Sequence, residues 1–148
     1  MVPRFQAQSA ARACNSMVPE SRRQAGQWLA KAQGDLDSAK ILFQANPPQW
    51  ETGLFHCQQA AEKVLKGWLA FHEIPFPKTH DLAVLLNLCA EKEKGFLPWQ
   101  ESLPRLTPFA TESRYPGDAL EPAAEDIREA KKIAQEVVEF VFSKIGNG

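Results

Sequence analysis

The chain has 148 residues and a mass of 16.5 kDa, the usual size of a single domain. Apolar residues make up 44% and charged residues 24% of the sequence, which excludes the polar, highly charged composition of a disordered protein. Seventeen basic and eighteen acidic residues give a net charge of -1. The overall charge of the chain therefore does not attract it to nucleic acid or to anionic membranes. Any contact with RNA has to be a local patch.

Cysteine and histidine are few and poorly spaced for metal chemistry. The cysteines Cys14, Cys57 and Cys89 are odd in number and form no CxxC pair, which is typical of reduced thiols in the cytoplasm. The histidines lack the HExxH pattern, so we expect no metal site and no cofactor. No apolar stretch approaches the roughly 20 residues of a membrane-spanning helix. The sequence therefore predicts a cytoplasmic protein without a membrane span.

Residues 1–21 carry neither a sustained helical stripe nor the apolar region of a signal peptide. Residues 1–25 hold four arginines against one glutamate. We expect a flexible N-terminal extension, or a stretch upstream of a start at Met17; a basic arm that contacts nucleic acid is the alternative. The folded domain is then expected over residues 22–146.

The first two helices are predicted from apolar residues that recur at steps of three and four. Helix one covers about residues 22–45, and its stripe consists of Trp28, Leu29, Ala32, Leu36, Ala39 and Phe43. The run 46–48 (Asn-Pro-Pro) ends it, because proline lacks an amide donor and favours extended geometry before it. Helix two begins near Trp50, and its wide apolar face predicts contact with several neighbours.

A two-proline connector over residues 73–78 leads to helix three, which we expect from His80 to about Lys92. Thr79 is the predicted N-cap of this helix, because its hydroxyl can accept from the first free amides.

Prolines mark the last third of the chain. Pro104 and Pro108 interrupt a fourth helical stripe, so we expect a kink or break there. Pro122 suits the first turn of a final helix that runs to about Ile145. Because no segment alternates with a two-residue period, the predicted fold is all-α: an up-and-down four-helix bundle with a short or kinked additional helix.

Three motifs together resemble the prokaryotic HEPN domain: QQAAEKVLKGWL on helix two, KTHDLAVLL downstream, and SRYP before the last helix. The resemblance spans about residues 25–145. It implies a four-helix bundle that commonly forms a homodimer and is often paired with a minimal nucleotidyltransferase. Many members of the family are metal-independent endoribonucleases of toxin or defence systems, with an arginine separated from a histidine by four to six residues.

The chain departs from that catalytic motif. Arg114 lies in the expected region, but the histidine positions hold Ala119, Leu120 and Glu121. RNA cleavage needs a base for the ribose 2'-hydroxyl or an acid for the leaving oxygen, and none of these three side chains replaces an imidazole in that role. We therefore predict no catalytic residue. The SRYP loop resembles the non-ribonucleolytic branch of the family, which implies a nucleotide-binding module or the partner of a nucleotidyltransferase.

Arg114 and Tyr115 are the first candidate contacts, because a guanidinium suits a phosphate and an aromatic ring suits a base. The alternative is that Arg114 pairs with a carboxylate such as Asp118 while Tyr115 packs under the loop. Pro116 is expected to fix the turn.

His80 and Asp81 begin helix three, where free backbone amides favour anions. One interpretation is that His80 contacts a phosphate or a base. The other is a capping turn, in which Asp81 complements the helix dipole and His80 bonds to a neighbouring helix.

The polar side of helix two carries Gln58, Gln59, Glu62, Lys63 and Lys66. The simple interpretation is a solvated face with a Glu62–Lys66 surface pair. The family resemblance implies instead that Lys63 and Lys66 line a groove with Arg114 and bind nucleotide or phosphate.

These expectations favour a dimeric HEPN-type module that binds a nucleotide or RNA and acts with a nucleotidyltransferase, in a system of the toxin–antitoxin kind. A rival hypothesis is an endoribonuclease toxin that recruits His80 in place of the missing motif histidine. A third is a helical dimerisation module without a ligand.

Overall fold

The computed structural model describes residues 19–111 and 122–146. Within these two ranges the chain forms four α-helices and two 3-10 helices, and no strand. The α-helices are α1 (Glu20–Gln44), α2 (Trp50–Phe71), α3 (Leu82–Lys92) and α4 (Ala124–Gly146), and the 3-10 helices are Lys94–Trp99 and Leu103–Ala110. The predicted all-α bundle is confirmed. None of the helices in the described ranges is long and apolar enough to cross a lipid bilayer.

Helices α1 and α2 form an antiparallel pair. At one end, the Ser21 hydroxyl donates to the Glu73 carboxylate at 3.4 Å. At the other end, the rings of Phe43 and Trp50 pack with centroids 5.9 Å apart. At that second end α1 stops at Gln44, as the prolines in the sequence predicted. The Asn46–Pro47 peptide bond that follows is cis. The pair forms one wall of the bundle.

Helix α2 is the centre of the core and packs against α1, α3, α4 and the second 3-10 helix. Eight apolar residues on its inner face are almost completely buried: Leu54, Cys57, Ala60, Ala61, Val64, Leu65, Trp68 and Leu69. Each large aliphatic side chain buried here contributes about 1.5–3 kcal/mol relative to an exposed one. The wide apolar face predicted for this helix is therefore confirmed.

The end of α2 turns the chain back along the bundle. The Ile74 amide donates to the Leu69 carbonyl at 2.9 Å, and Glu73 has a positive φ of 57°. This is the C-terminal arrangement in which a left-handed residue satisfies the last free carbonyls of a helix. The connector that follows packs on α1, because the ring of Phe76 lies 6.3 Å from that of Trp28.

Helix α3 begins at Leu82, and Asp81 is its N-cap, since its carboxylate accepts from the Ala83 amide at 3.0 Å. The prediction that Thr79 caps this helix is wrong by two residues. The hydroxyl of Thr79 instead accepts from the Asp81 amide at 3.0 Å, which forms a turn before the helix. The Leu82 amide is satisfied by the hydroxyl of Thr107 at 3.2 Å, so the second 3-10 helix lies against this helix start.

The expected break in the fourth stripe is confirmed, since this region forms the two 3-10 helices, with Pro104 at the start and Pro108 inside the second. The prediction for Pro122 is wrong, because α4 begins at Ala124 and leaves the proline outside its first turn. The carboxylate of Asp126, in the first turn of α4, accepts from the Ala123 amide at 3.2 Å. The amide just before the helix therefore has a hydrogen-bond partner.

Candidate functional site

The predicted site residues fall into two groups. Arg114, Tyr115 and Pro116 lie outside the described residues. The described candidates are His80, Lys63 and Lys66, and they meet along the polar side of α2.

That polar side is not a solvated face. Gln58, Glu62 and Lys66 are all buried, and the side chain of Glu62 is 2% exposed. The sequence suggested a surface pair, but His80 in the connector after α2 contacts Gln58 and Glu62, and α1 lies against Lys66. The ring of Trp28 on α1, for example, lies 5.4 Å from the Lys66 ammonium. The simple interpretation of this stripe is therefore wrong for these three residues.

Glu62 and Lys66 form a buried ion pair, with 2.9 Å between the ammonium and Oε2. The side chain of Lys66 is only 9% exposed. Removing two charges from water costs several kcal/mol per ion, so the pair persists only because further hydrogen bonds satisfy its remaining groups. Gln58 supplies one of them, since its Nε2 donates to Glu62 Oε1 at 3.0 Å.

His80 supplies another, from the surface. Its Nδ1 lies 2.8 Å from Glu62 Oε1, yet the side chain of His80 is 68% exposed. This is the bond to a neighbouring helix that the sequence offered as one of two roles for His80. The bond leaves most of the ring accessible to solvent.

The charge state of Glu62 follows from these contacts. Burial alone raises the pKa of the Glu62 carboxyl, but hydrogen bonds from Lys66, Gln58 and His80, together with the charge of Lys66, outweigh it. The net pKa of Glu62 is lowered. Glu62 is therefore an ionised carboxylate at neutral pH.

A second, smaller cluster lies on the same stripe, between α1 and α2. Nδ1 of His56 lies 2.8 Å from Asp35 Oδ1, and the ammonium of Lys63 lies 3.8 Å from Asp35 Oδ2. The side chain of His56 is 24% exposed and that of Lys63 17%. Lys63 is therefore paired with the Asp35 carboxylate, as Lys66 is with that of Glu62.

Two glutamines connect the clusters. Lys63 donates to Gln59 Oε1 at 2.7 Å, and Gln59 Nε2 donates to Gln58 Oε1 at 2.7 Å. Since Gln58 in turn donates to Glu62, the orientation of both amides is set by the charged groups at the two ends. The result is one continuous polar network along α2, from Asp35 to the exposed ring of His80.

An imidazole held in this way can serve two kinds of chemistry. A carboxylate only accepts, so the proton of a neutral ring lies on Nδ1 and the outer Nε2 is an acceptor. The protonated ring donates from Nε2 to an anion such as a phosphate. Among the described residues, no group of three or more His, Cys, Asp or Glu side chains is arranged to hold a metal ion.

Sequence reasoning missed Asp35 and misplaced Glu62. Asp35 lies on the apolar stripe of α1, directly before buried Leu36, and a charged residue at such a position indicates a buried partner. Glu62 is flanked by buried Ala61 and lies on a helix that is apolar over most of its circumference. At both positions the apolar neighbours indicate burial, although a charged residue type by itself predicts exposure.

Comparison with known protein families gives one result. The model of the HEPN domain matches residues 25–145, which is most of the chain and reaches from the first turns of α1 to the last turn of α4. No curated protein and no solved structure shows a significant match. With the motifs on α2 and the connector in place on an all-helical bundle, the chain belongs to the HEPN family.

Proposed function

We propose that this HEPN domain is a non-catalytic module that binds a nucleotide or an RNA end, with His80 as the contact among the described residues. Arg114 and Tyr115 join the proposal from the sequence alone, as groups suited to a phosphate and a base. The module acts as the binding partner of a minimal nucleotidyltransferase, in a system of the toxin–antitoxin kind. Its RYP loop belongs to the branch of the family that lacks the ribonuclease motif.

The observation that carries this proposal is the exposed ring of His80 on a buried ionic support. Burying the Glu62–Lys66 ion pair costs desolvation energy that an apolar pair of the same size would avoid. An exposed histidine that binds no ligand does not require such a buried carboxylate as its hydrogen-bond partner. An imidazolium in this position donates a charge-assisted hydrogen bond to a phosphate.

The two lysines have supporting roles in this proposal. Lys66 neutralises Glu62, so the approaching phosphate does not face an uncompensated negative charge. Lys63 does the same for Asp35 and aligns Gln59. The positive charge of both lysines thus lies behind the binding surface.

Binding is tested by titrating the purified protein with fluorescent ATP and with a short 5'-phosphorylated RNA, with and without a minimal nucleotidyltransferase. His80→Ala should weaken binding about tenfold, the loss of one charge-assisted hydrogen bond. His56→Ala is the matched control, because His56 makes the same bond to a carboxylate but is less exposed. No binding of either ligand under any of these conditions would contradict the proposal.

The second candidate function is a metal-independent endoribonuclease, and the Glu62–His80 pair favours it specifically. A carboxylate-supported imidazole is a general acid–base arrangement. Cleavage of total RNA by the parent protein and its loss in both His80→Ala and Arg114→Ala would establish this function in place of the binding module. Intact RNA after prolonged incubation would contradict this function.

The proposal also includes a homodimer. Light scattering at micromolar concentration should report twice the chain mass, and a particle of only 16.5 kDa would contradict this part.

A further inference from the structure

We propose that Glu62 is a positioning residue for His80: it holds the imidazole with Nε2 outward, and Lys66 keeps Glu62 charged for that purpose. This inference rests on the proposed function, because it specifies how that site presents its exposed nitrogen to a phosphate.

The first step is the geometry of the contact. Of the two ring nitrogens, Nδ1 is the one within hydrogen-bond distance of Glu62 Oε1, at 2.8 Å. The backbone is held as well, since the carbonyl of His80 accepts from Gln58 Nε2 at 3.4 Å. Two points of attachment to α2 therefore restrict a side chain that is otherwise exposed.

The second step concerns the location of the proton. An ionised carboxylate has no hydrogen to donate, so Nδ1 of His80 must donate to it. In the neutral ring this leaves Nε2 as an acceptor on the solvent side, and in the protonated ring it makes Nε2 a donor. The exposed atom is Nε2 in both states, which is what a ligand at this surface meets.

The third step concerns the charge of Glu62. A buried carboxyl without partners would take up a proton and then compete with His80 as a donor. The ammonium of Lys66, 2.9 Å away and 9% exposed, prevents this. Lys66 thus acts on His80 through Glu62 and does not contact the ligand.

The chain contains an internal comparison. His56 makes the same Nδ1 bond of 2.8 Å to Asp35, but on a less exposed side chain and a carboxylate that is less buried. Asp35→Asn should therefore change the tautomer of His56 and leave that of His80 as it is. Both histidines are observed in one spectrum.

The test is the ring-nitrogen NMR spectrum of protein labelled with 15N-histidine, at a pH where the rings are neutral. In the wild type, His80 should show a protonated Nδ1 and an unprotonated Nε2. In Glu62→Leu/Lys66→Met, which replaces the ion pair by apolar side chains of similar size, His80 should change to the Nε2-protonated form that free histidine prefers. An Nε2-protonated His80 in the wild type, or an unchanged form in the double variant, overturns the proposal.

A ligand measurement separates this inference from the proposed function. The double variant should bind fluorescent ATP about tenfold more weakly than the wild type. Lys132→Met/Glu136→Leu makes the same kind of exchange at an exposed ion pair on α4, outside the polar network, and should bind like the wild type. Full affinity in the double variant, together with a loss in His80→Ala, refutes positioning by Glu62 and leaves the proposed function standing. If the wild type binds no nucleotide, the proposed function fails, and the ring-nitrogen spectrum still decides whether Glu62 orients His80. The wild-type spectrum needs no variant, so it decides even if the double variant does not fold.

Discussion

Nδ1 of His80 lies 2.8 Å from Oε1 of Glu62, so a mostly exposed ring is anchored to a carboxylate that is almost inaccessible to solvent. The contact joins the connector after α2 to the middle of α2 itself. It exists because the left-handed residue at the end of α2 sends the connector back along the helix. The candidate site thus forms where the chain reverses direction after α2. Each of its contacts can be tested separately.

Removing the charge of one partner of the buried ion pair should lower the free energy of unfolding much more than replacing both partners. Glu62→Gln leaves the Lys66 ammonium buried without a counter-charge, and we expect a loss of about 3–5 kcal/mol in the free energy of unfolding. Glu62→Leu/Lys66→Met should lose less than half of that, because no charge remains buried. Urea denaturation measures both, and equal losses in the single and double variants would show that the pair is not a coupled unit.

Two helical glycines should respond to alanine with opposite signs. A Cβ at Gly53 would lie 2.5 Å from Cε1 of Phe43, so Gly53→Ala forces the ring out of its place in the core and should cost about 1–3 kcal/mol. Gly34 has nothing within 4 Å of such an atom, and Gly34→Ala should stabilise α1 by about 0.5–1 kcal/mol. Denaturation midpoints of the two variants test this, and a stabilising Gly53→Ala would contradict the packing of Phe43.

Stability should fall as His72 becomes protonated. Burial, with a smaller contribution from the charge of Lys92, lowers the pKa of His72 below its ordinary value of 6.5, while Glu93 acts in the opposite direction. As the pH falls through 6.5, the unfolded chain therefore binds the proton before the folded chain, and folding loses free energy. Thermal melts from pH 7.5 to 5 should show a steeper decrease in Tm for the wild type than for His72→Phe, which keeps a ring against Trp68. Parallel curves would refute this role.

The two described cysteines should be chemically inert in the folded protein. Burial raises the pKa of Cys57 to about 12 and also raises that of Cys89, so neither forms the reactive thiolate. In a Cys14→Ser variant, a chromogenic disulfide reagent should react only as fast as the protein unfolds. A rapid reaction of either thiol in native buffer would contradict the burial of that side chain.

The helices were predictable from the sequence because their signals are local. The apolar stripe of α1 and the prolines after Phe43 place its end within a residue, and the start of α2 at Trp50 agrees with the prediction. The start of α3 was misplaced because Thr79 and Asp81 are equally good caps. In the structure Asp81 caps the Ala83 amide, and the hydroxyl of Thr107, which is distant in sequence, accepts from the Leu82 amide.

The site was predictable only in part. His80 was identified by its predicted place at the start of a helix. Its partner Glu62 looked like half of a surface pair, because an i, i+4 spacing is the same on an exposed and on a buried helix face. Burial of Glu62 depends on the connector folding back over α2, which no local pattern reveals. Asp35 was detectable in principle, as a charge among the apolar positions of α1.

The most direct test of the account follows the histidine ring signals of the wild-type protein while ATP is added. We expect the signals of His80 to shift with saturation while those of the half-buried His56 and His72 stay in place, because only His80 presents most of its side chain to solvent. Binding of ATP that moves the signals of His56 or His72 and leaves those of His80 unchanged would place the ligand elsewhere and contradict the central claim.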